Sequence, residues 1–269
     1  MVELFDADKR EVNRKSSKGN QLKFERDGIW YKADYTGYEG LSEFVASHLM
    51  LKSTMSTSEF VLYNQEELKY KNRVYMGVSS EDLLNSGEQL ITLERLFTNT
   101  YGVGLSNMIY GISDHVDRLR LIVSKTEELT GLTDFGVYMS KMMAIDAFFL
   151  NEDRHTHNIA VVLCPDGSYR YCPYFDHGAG FLADTTMDYP LDGDVYDLME
   201  TVQAKTFCQD FDEQLDIAER LYGKQIEFKF DKKYVDKLLD SIYGYEDRIV
   251  ERVRNIIFEQ MRRYTYLCK

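Results

Sequence analysis

Between Phe148 and Gly178 the sequence passes from an apolar helix into a tight polar cluster and then into an apolar hairpin, with no linker at either junction. The helix is read from Thr133 or Asp134, either of which can cap it, to about Leu150. The cluster holds Asp153, Arg154, His155, His157 and Asn158. Strands are expected over residues 159–164 and 168–175, joined by Pro165-Asp166-Gly167, whose residue types suit a tight turn. Polar groups concentrated in a loop between two buried elements are placed for use. A tight hairpin also brings its two ends together. Asp176, in Tyr174-Phe175-Asp176-His177-Gly178, is therefore expected close to Asn158, with Asp153 converging on the same end.

That convergence points to phosphoryl transfer. Asn158 and Asp176 offer hard oxygen ligands, which suit Mg²⁺, a cation that takes few protein ligands and completes its shell with water and phosphate oxygens. Asp153 is then the carboxylate placed to orient or deprotonate a hydroxyl nucleophile, and His155 stands beside it as a second catalytic candidate. Asp, four residues, Asn, a hairpin and Asp-x-Gly is the order of the catalytic and metal loops in protein-kinase-like phosphotransferases. His155 and His157 also suggest zinc, but no further His or Cys set has zinc-site spacing. Cys164 and Cys172 are expected to face each other across the hairpin as small apolar residues.

The rest of the chain reads as α+β, strands first and helices after. Residues 21–24 and 28–35 form a hairpin about Arg26-Asp27-Gly28, and Leu41, Phe44, Val45, His48 and Leu49 mark a helix over 39–52. Further strands are expected at 60–63, 73–78 and 89–95. Helices are expected at 114–130, with Gly131 as a stop, and at 209–222, 231–243 and 245–267. The division is residues 1–97, a small β-rich lobe, and 98–269, a larger helical lobe with the embedded hairpin.

Charge and hydropathy narrow the functional classes. The 269 residues carry a net charge of −13, which disfavours sequence-independent nucleic-acid binding. No apolar run approaches a membrane span, the start Met-Val-Glu-Leu-Phe-Asp is acidic where a secretory signal would be basic, and four scattered cysteines do not make a disulfide framework. A cytoplasmic protein is the expectation. The acidity is uneven: residues 184–216 hold ten acids and one base, Lys205.

Asn151-Glu-Asp-Arg-His-Thr-His-Asn158 followed by Phe175-Asp-His-Gly178 resembles HipA-type serine/threonine kinases. The Asp-Arg-His-x-x-Asn part is also similar to phosphatidylinositol 3-/4-kinases. The resemblance implies a bilobal protein-kinase-like fold with ATP and Mg²⁺ as cofactors. It further implies that Ser16-Ser-Lys-Gly-Asn-Gln-Leu-Lys23 is the phosphate loop, with Gly19, Asn20 and Gln21 near the nucleotide. Lys32 is implied as the lysine that pairs the phosphates, with Glu39 or Glu43, one turn apart on one helix face, as its acidic partner. Thr92-Leu-Glu-Arg-Leu-Phe97 is implied as the hinge, where the Glu94 carbonyl and Leu96 amide hold adenine. Autophosphorylation at Ser16 or Ser17 would add charge that repels ATP.

The sequence departs from the family in two places. Toxin-type HipA proteins carry an extra N-terminal region where this chain has about fifteen residues, so an antitoxin partner is not expected. Arginine follows the catalytic Asp instead of preceding it, so control by a phosphorylated activation loop is not assumed. The acidic stretch just past Asp176-His-Gly suits a protein substrate with a basic surface and opposes an anionic lipid face. The expected function is an ATP- and Mg²⁺-dependent serine/threonine protein kinase. The alternatives are a lipid or small-molecule kinase on the same fold, and a nucleotide-binding pseudokinase.

Overall fold

A computed structural model describes residues 1–10 and 21–269. Strands β1 (Val2–Leu4), β2 (Lys23–Arg26), β3 (Ile29–Ala33), β4 (Asn64–Tyr70) and β5 (Arg73–Glu81) form one sheet in the order β1-β4-β5-β3-β2. Only the β1–β4 pair is parallel. The β2–β3 hairpin turns at Asp27 and Gly28, with φ of 55° and 78°. These are the two left-handed positions that a two-residue hairpin turn demands and that Asp-Gly tolerates. Helix α1 (Glu39–Met50) packs on β3, β4 and β5.

β6 (Gln89–Thr92) leaves this sheet and pairs with β7 (Ala160–Leu163), which pairs with β8 (Tyr169–Tyr171). Helices α2 (Leu93–Tyr101), α3 (Leu105–Tyr110), α4 (His115–Thr130) and α5 (Phe135–Phe149) fill the middle of the chain. α6 (Val195–Met199), α7 (Phe211–Tyr222), α8 (Lys232–Leu239) and α9 (Asp247–Arg263) follow the hairpin. α5 is buried nearly all round, as a helix apolar on every face must be. α4 behaves as its sequence suggests: the Asp114 carboxylate accepts from the Asp117 amide, and Gly131 ends it at φ 73°. Asp134 stands at the N-cap of α5 without a side-chain cap bond, and Glu127 accepts the Phe135 amide instead.

The C-terminal helices reach back to the first sheet. Tyr245 donates its hydroxyl proton to Asp34 at 2.7 Å, Tyr234 donates to the His48 carbonyl, and Phe228 bridges both Ser53 and Cys268. α1 is thereby held from both sides.

Several expectations fail. Residues 60–63 form no named strand, only a bridge from Phe60 to Tyr174, whereas the charged segment Asn64–Tyr70 is a strand because β1 and β5 pair with it on either side. The strand at 89–95 stops at Thr92, whose hydroxyl accepts from the Arg95 amide and starts α2. Because β6 pairs with β7, residues 89–97 side with the hairpin and the helices, against a division at 97. Cys164 and Cys172 do not face each other: Cys164 bonds to Ser168, and the register that sets Val161 opposite Tyr171 carries Cys172 past it.

Candidate active site

The polar loop after α5 starts with a sharp change of direction. Leu150 takes φ 54°, a region bulky residues avoid, and Asp176, Phe181 and Leu182 do so as well at 63°, 52° and 60°. The other two non-glycine residues of this kind among those described, Asp27 and Lys71, lie beside the turns of β-hairpins. Left-handed bulky residues cost of order 1–3 kcal/mol each and persist where the surroundings over-determine them. Here burial does so: Leu150, Phe181 and Leu182 are in the core, and the Phe181 amide bonds to the Phe149 carbonyl at 2.8 Å.

Arg154 holds the loop together. It is 2% exposed, and its guanidinium pairs with the buried Asp146 of α5 at 3.0 Å. The same group donates to the carbonyls of Asn158 and Phe175, both at 2.9 Å, and to that of Asp176 at 3.4 Å. One side chain thus ties the polar loop to the far end of the hairpin, which brings Asn158 and Asp176 into one neighbourhood as expected. Asn151 adds a bond to the Asp176 carbonyl and one to Asp146. Sequence reasoning read Arg154 only as a neighbour of Asp153; its signal was an Arg directly after a polar turn with an Asp one helical turn inside an otherwise apolar helix.

Asn158 donates through its side-chain nitrogen to the Asp153 carbonyl at 2.8 Å and to the Asp153 carboxylate at 3.2 Å, so its amide oxygen is the atom a cation would take. His155 lies 3.6 Å from the Asp153 carboxylate. Burial lowers the His155 pKa against the pull of Asp153, and its Nδ1 is buried without a hydrogen-bond partner, so the ring is neutral at pH 7.

Across from this loop, Lys32 on β3 donates to Glu43 of α1 at 2.6 Å and to Asp176 at 3.1 Å. Burial alone would raise Asp176, but Lys32, then Lys23 and Arg154, hold it far below the usual carboxylate range. Glu43 also accepts the His177 amide at 3.0 Å. The choice between Glu39 and Glu43 is settled in favour of Glu43. Glu39 is spent on the turn before α1, where it accepts the amides of Tyr35, Thr36 and Gly37. Lys23, opposite Lys32 in register and the last residue of the expected phosphate loop, is a second cation at this place. Gly19 and Asn20, with Ser16 and Ser17, lie outside the described residues; Gln21 is half-buried at the edge of the first sheet.

Glu94 and Leu96, expected to hold adenine, lie in a helix and not in an extended hinge. Both sit in α2, where the Glu94 carbonyl accepts from the Thr98 hydroxyl and the Leu96 carbonyl from that of Thr100. The Glu94 carboxylate is buried and accepts from Ser106 and, at 2.7 Å, from the Thr156 hydroxyl of the polar loop. Its work is to support that loop. The segment that continues β5 carries Leu83 and Leu84 instead, packed with Val78, Val162, Cys172 and Phe175.

The segment after Asp176 is fastened to α1. Ser42 donates to the His177 carbonyl at 2.5 Å, and Tyr38 to that of Phe181 at 2.6 Å. A Cβ at Gly37 would overlap the Ala183 carbonyl, so only glycine admits this approach. Farther along the acidic stretch several carboxylates serve the fold: Asp194 and Asp210 cap α6 and α7, and Asp212 pairs with Arg263 at 2.6 Å.

No family model matches this sequence, and no curated protein matches it. Among solved structures, the proinflammatory kinase CtkA of Helicobacter pylori superposes with a TM-score of 0.64 at 15% identity, over 97% of this chain and 95% of that one. The two chains share a fold. HipA, in its Shewanella oneidensis MR-1 complex with HipB and operator DNA, aligns over 93% of this chain and 62% of that one, at 12% identity and a TM-score of 0.44. At 15% identity the likeness to CtkA is one of architecture: an α+β chain with a five-stranded sheet and helices.

Proposed function

We propose that this chain transfers the γ-phosphoryl group of ATP, with Mg²⁺, to a serine or threonine hydroxyl of a protein. The observation that carries the reading is the joining of Lys32, Glu43 and Asp176 beside the Asp153–Asn158 loop. Lys32 would neutralise phosphate oxygens while Glu43 fixes its position, and Lys23 would add a second positive charge. Asn158 and Asp176 are an all-oxygen donor set that fits Mg²⁺ and would hold it, and the cation would supply positive charge to offset that of the phosphates. Asp153 would orient the acceptor hydroxyl and take its proton, and the neutral His155 would help to position Asp153. The backbone around residues 81–84, with Leu83, Leu84 and Phe175 as an apolar wall, would receive adenine in place of Glu94 and Leu96.

The two sheets then mark two lobes, with the nucleotide between them. The boundary falls between β5 and β6. Exposed carboxylates past Asp176, such as Asp188, Asp192 and Asp197, favour a basic protein surface as acceptor, and the overall charge disfavours nucleic acid. Among the described residues no helix is long and apolar enough to cross a membrane. ATP as substrate and four free cysteines fit a cytoplasmic setting.

Asp153→Asn tests the reading. It is expected to lower turnover by about 10²–10⁴-fold with nucleotide affinity nearly unchanged, whereas Asp176→Asn should weaken Mg·ATP binding itself. Radiolabelled ATP, offered with basic protein, lysate and lipid vesicles, identifies the acceptor. Wild-type turnover by Asp153→Asn would remove the proposed role, and label found only in lipid would turn the reading to a lipid kinase.

A further inference from the structure

Outside the residues gathered there, the starts of α4 and α7 bring together three side chains that no motif connects. His115 begins α4, Cys208 precedes α7 and Glu213 lies in the first turn of α7. A ring nitrogen of His115, the Cys208 sulfur and a Glu213 carboxylate oxygen all lie within 4.8 Å of one another. His115 and Glu213 are in direct contact at 2.6 Å. His115 and Glu213 border a cavity of about 500 Å³ also lined by Asp114, Asp210, Asp216 and Arg220.

We propose that His115, Cys208 and Glu213 bind a divalent transition cation of the zinc class. One nitrogen, one sulfur and one carboxylate oxygen make a borderline-soft set that suits Zn²⁺, whereas Mg²⁺ and Ca²⁺ prefer oxygen alone. In a tetrahedral zinc site neighbouring donor atoms stand roughly 3.5 Å apart. The outermost donors therefore need to close by about 1 Å, which the partly exposed His115 and Glu213 side chains can do by small rotations. The fourth position opens on the cavity, where water or one of the flanking carboxylates completes the shell. Binding replaces the Cys208 S–H bond with an S–metal bond and releases that proton to solvent.

The surroundings are set to hold Cys208 in place. Arg118 of α4 donates to the Phe207 carbonyl at 2.9 Å, and the Gln214 side chain accepts the Phe207 amide at 2.9 Å. Two residues before the cysteine, Thr206 donates to the Arg154 carbonyl at 2.7 Å. A cation on Cys208 would thus brace a segment that touches the polar loop of the candidate active site.

The test is cobalt titration of the chelator-stripped full chain in excess Mg²⁺. The oxygen ligands near Asp176 give no sulfur band, so the readout is separate from phosphoryl transfer. One equivalent of Co²⁺ is expected to produce thiolate-to-cobalt charge-transfer absorption in the near ultraviolet, displaced by Zn²⁺. Cys208→Ser should abolish the band, and His115→Ala, at a partly exposed position, should weaken binding at least ~10-fold, the least that loss of even an outer-shell partner costs. No band in the wild type, an undiminished band in Cys208→Ser, or wild-type affinity in His115→Ala would each overturn the site.

Discussion

Two charged clusters meet at Asp176, one on each side of its backbone, and they are built differently. Arg154 and Asp146 are dry, with side chains 2% and 1% exposed, and the flat guanidinium spends its donors on fixed carbonyls and one carboxylate. Lys32 and Asp176 are partly open, with side chains 13% and 29% exposed, and the compact ammonium is shared between Asp176 and the buried Glu43. Arginine's fork suits a joint that must not move, and lysine's point charge suits a partner that is to be exchanged. The first cluster holds the loops in shape, and the second is the one that the proposed function assigns to a ligand. The lesson is that similar ion pairs a few residues apart can have opposite duties, which burial and donor count reveal.

The difference can be broken most sharply at Arg154. Arg154→Ala leaves Asp146 buried without a counter-charge, and a loss of about 3–5 kcal/mol in denaturant unfolding is expected. Adding Asp146→Leu to Arg154→Met should restore much of that stability without restoring activity, since no apolar pair can hold the three carbonyls. Full activity in the double variant would show that the strut is dispensable.

In the second cluster, Glu43→Gln should cost about 1.5–3 kcal/mol of transition-state stabilisation, read as a fall of roughly 10- to 100-fold in turnover, with a smaller loss of stability than Arg154→Ala because Asp176 still pairs Lys32. Glu39→Ala should do the reverse, lowering stability by about 0.5–2 kcal/mol through the lost helix-start bonds while sparing turnover. Equal effects of the two on activity would erase the distinction between them.

A last effect concerns a carboxylate that pairs with no cation among the described residues. Burial, outweighing the Tyr245 hydrogen bond, raises Asp34 from 3.8 to about 8. The folded chain therefore binds a proton that the unfolded chain releases between those values, and this group's contribution to stability declines as pH rises from about 4 to 8. The slope is at most about 1.4 kcal/mol per pH unit. Asp34→Asn should flatten it, as urea midpoints at pH 5 and 7.5 would show. An unchanged slope would assign the decline to other groups.

What the sequence revealed and concealed follows from distance along the chain. Asp153, Asn158 and Asp176 were legible because a single hairpin with an obvious turn joins them, so local geometry sufficed. Lys32 and Glu43 were legible as types, but only packing could show that Glu39 is consumed by the turn at Tyr35–Gly37. The segment at 89–97 misled because Leu90, Ile91, Leu93 and Leu96 suit a strand or a short helix equally, and Thr92, a β-branched residue, also caps well. The Asn64–Tyr70 strand was hidden by its charges, since its hydrogen-bonding neighbours and not its hydropathy define it. His115, Cys208 and Glu213 span nearly a hundred positions and follow no spacing rule.

The bond between Tyr245 and Asp34 has a consequence for how the chain is made. During synthesis every reactive side chain from Lys32 to Asp176 leaves the ribosome before the hydroxyl that seats the start of α1. A nascent chain at residue 200 therefore holds the complete chemistry of the site while α1 still lacks its outer support. Contacts this far apart in sequence form late. Function on such a chain would switch on at a length, once its last quarter has been translated.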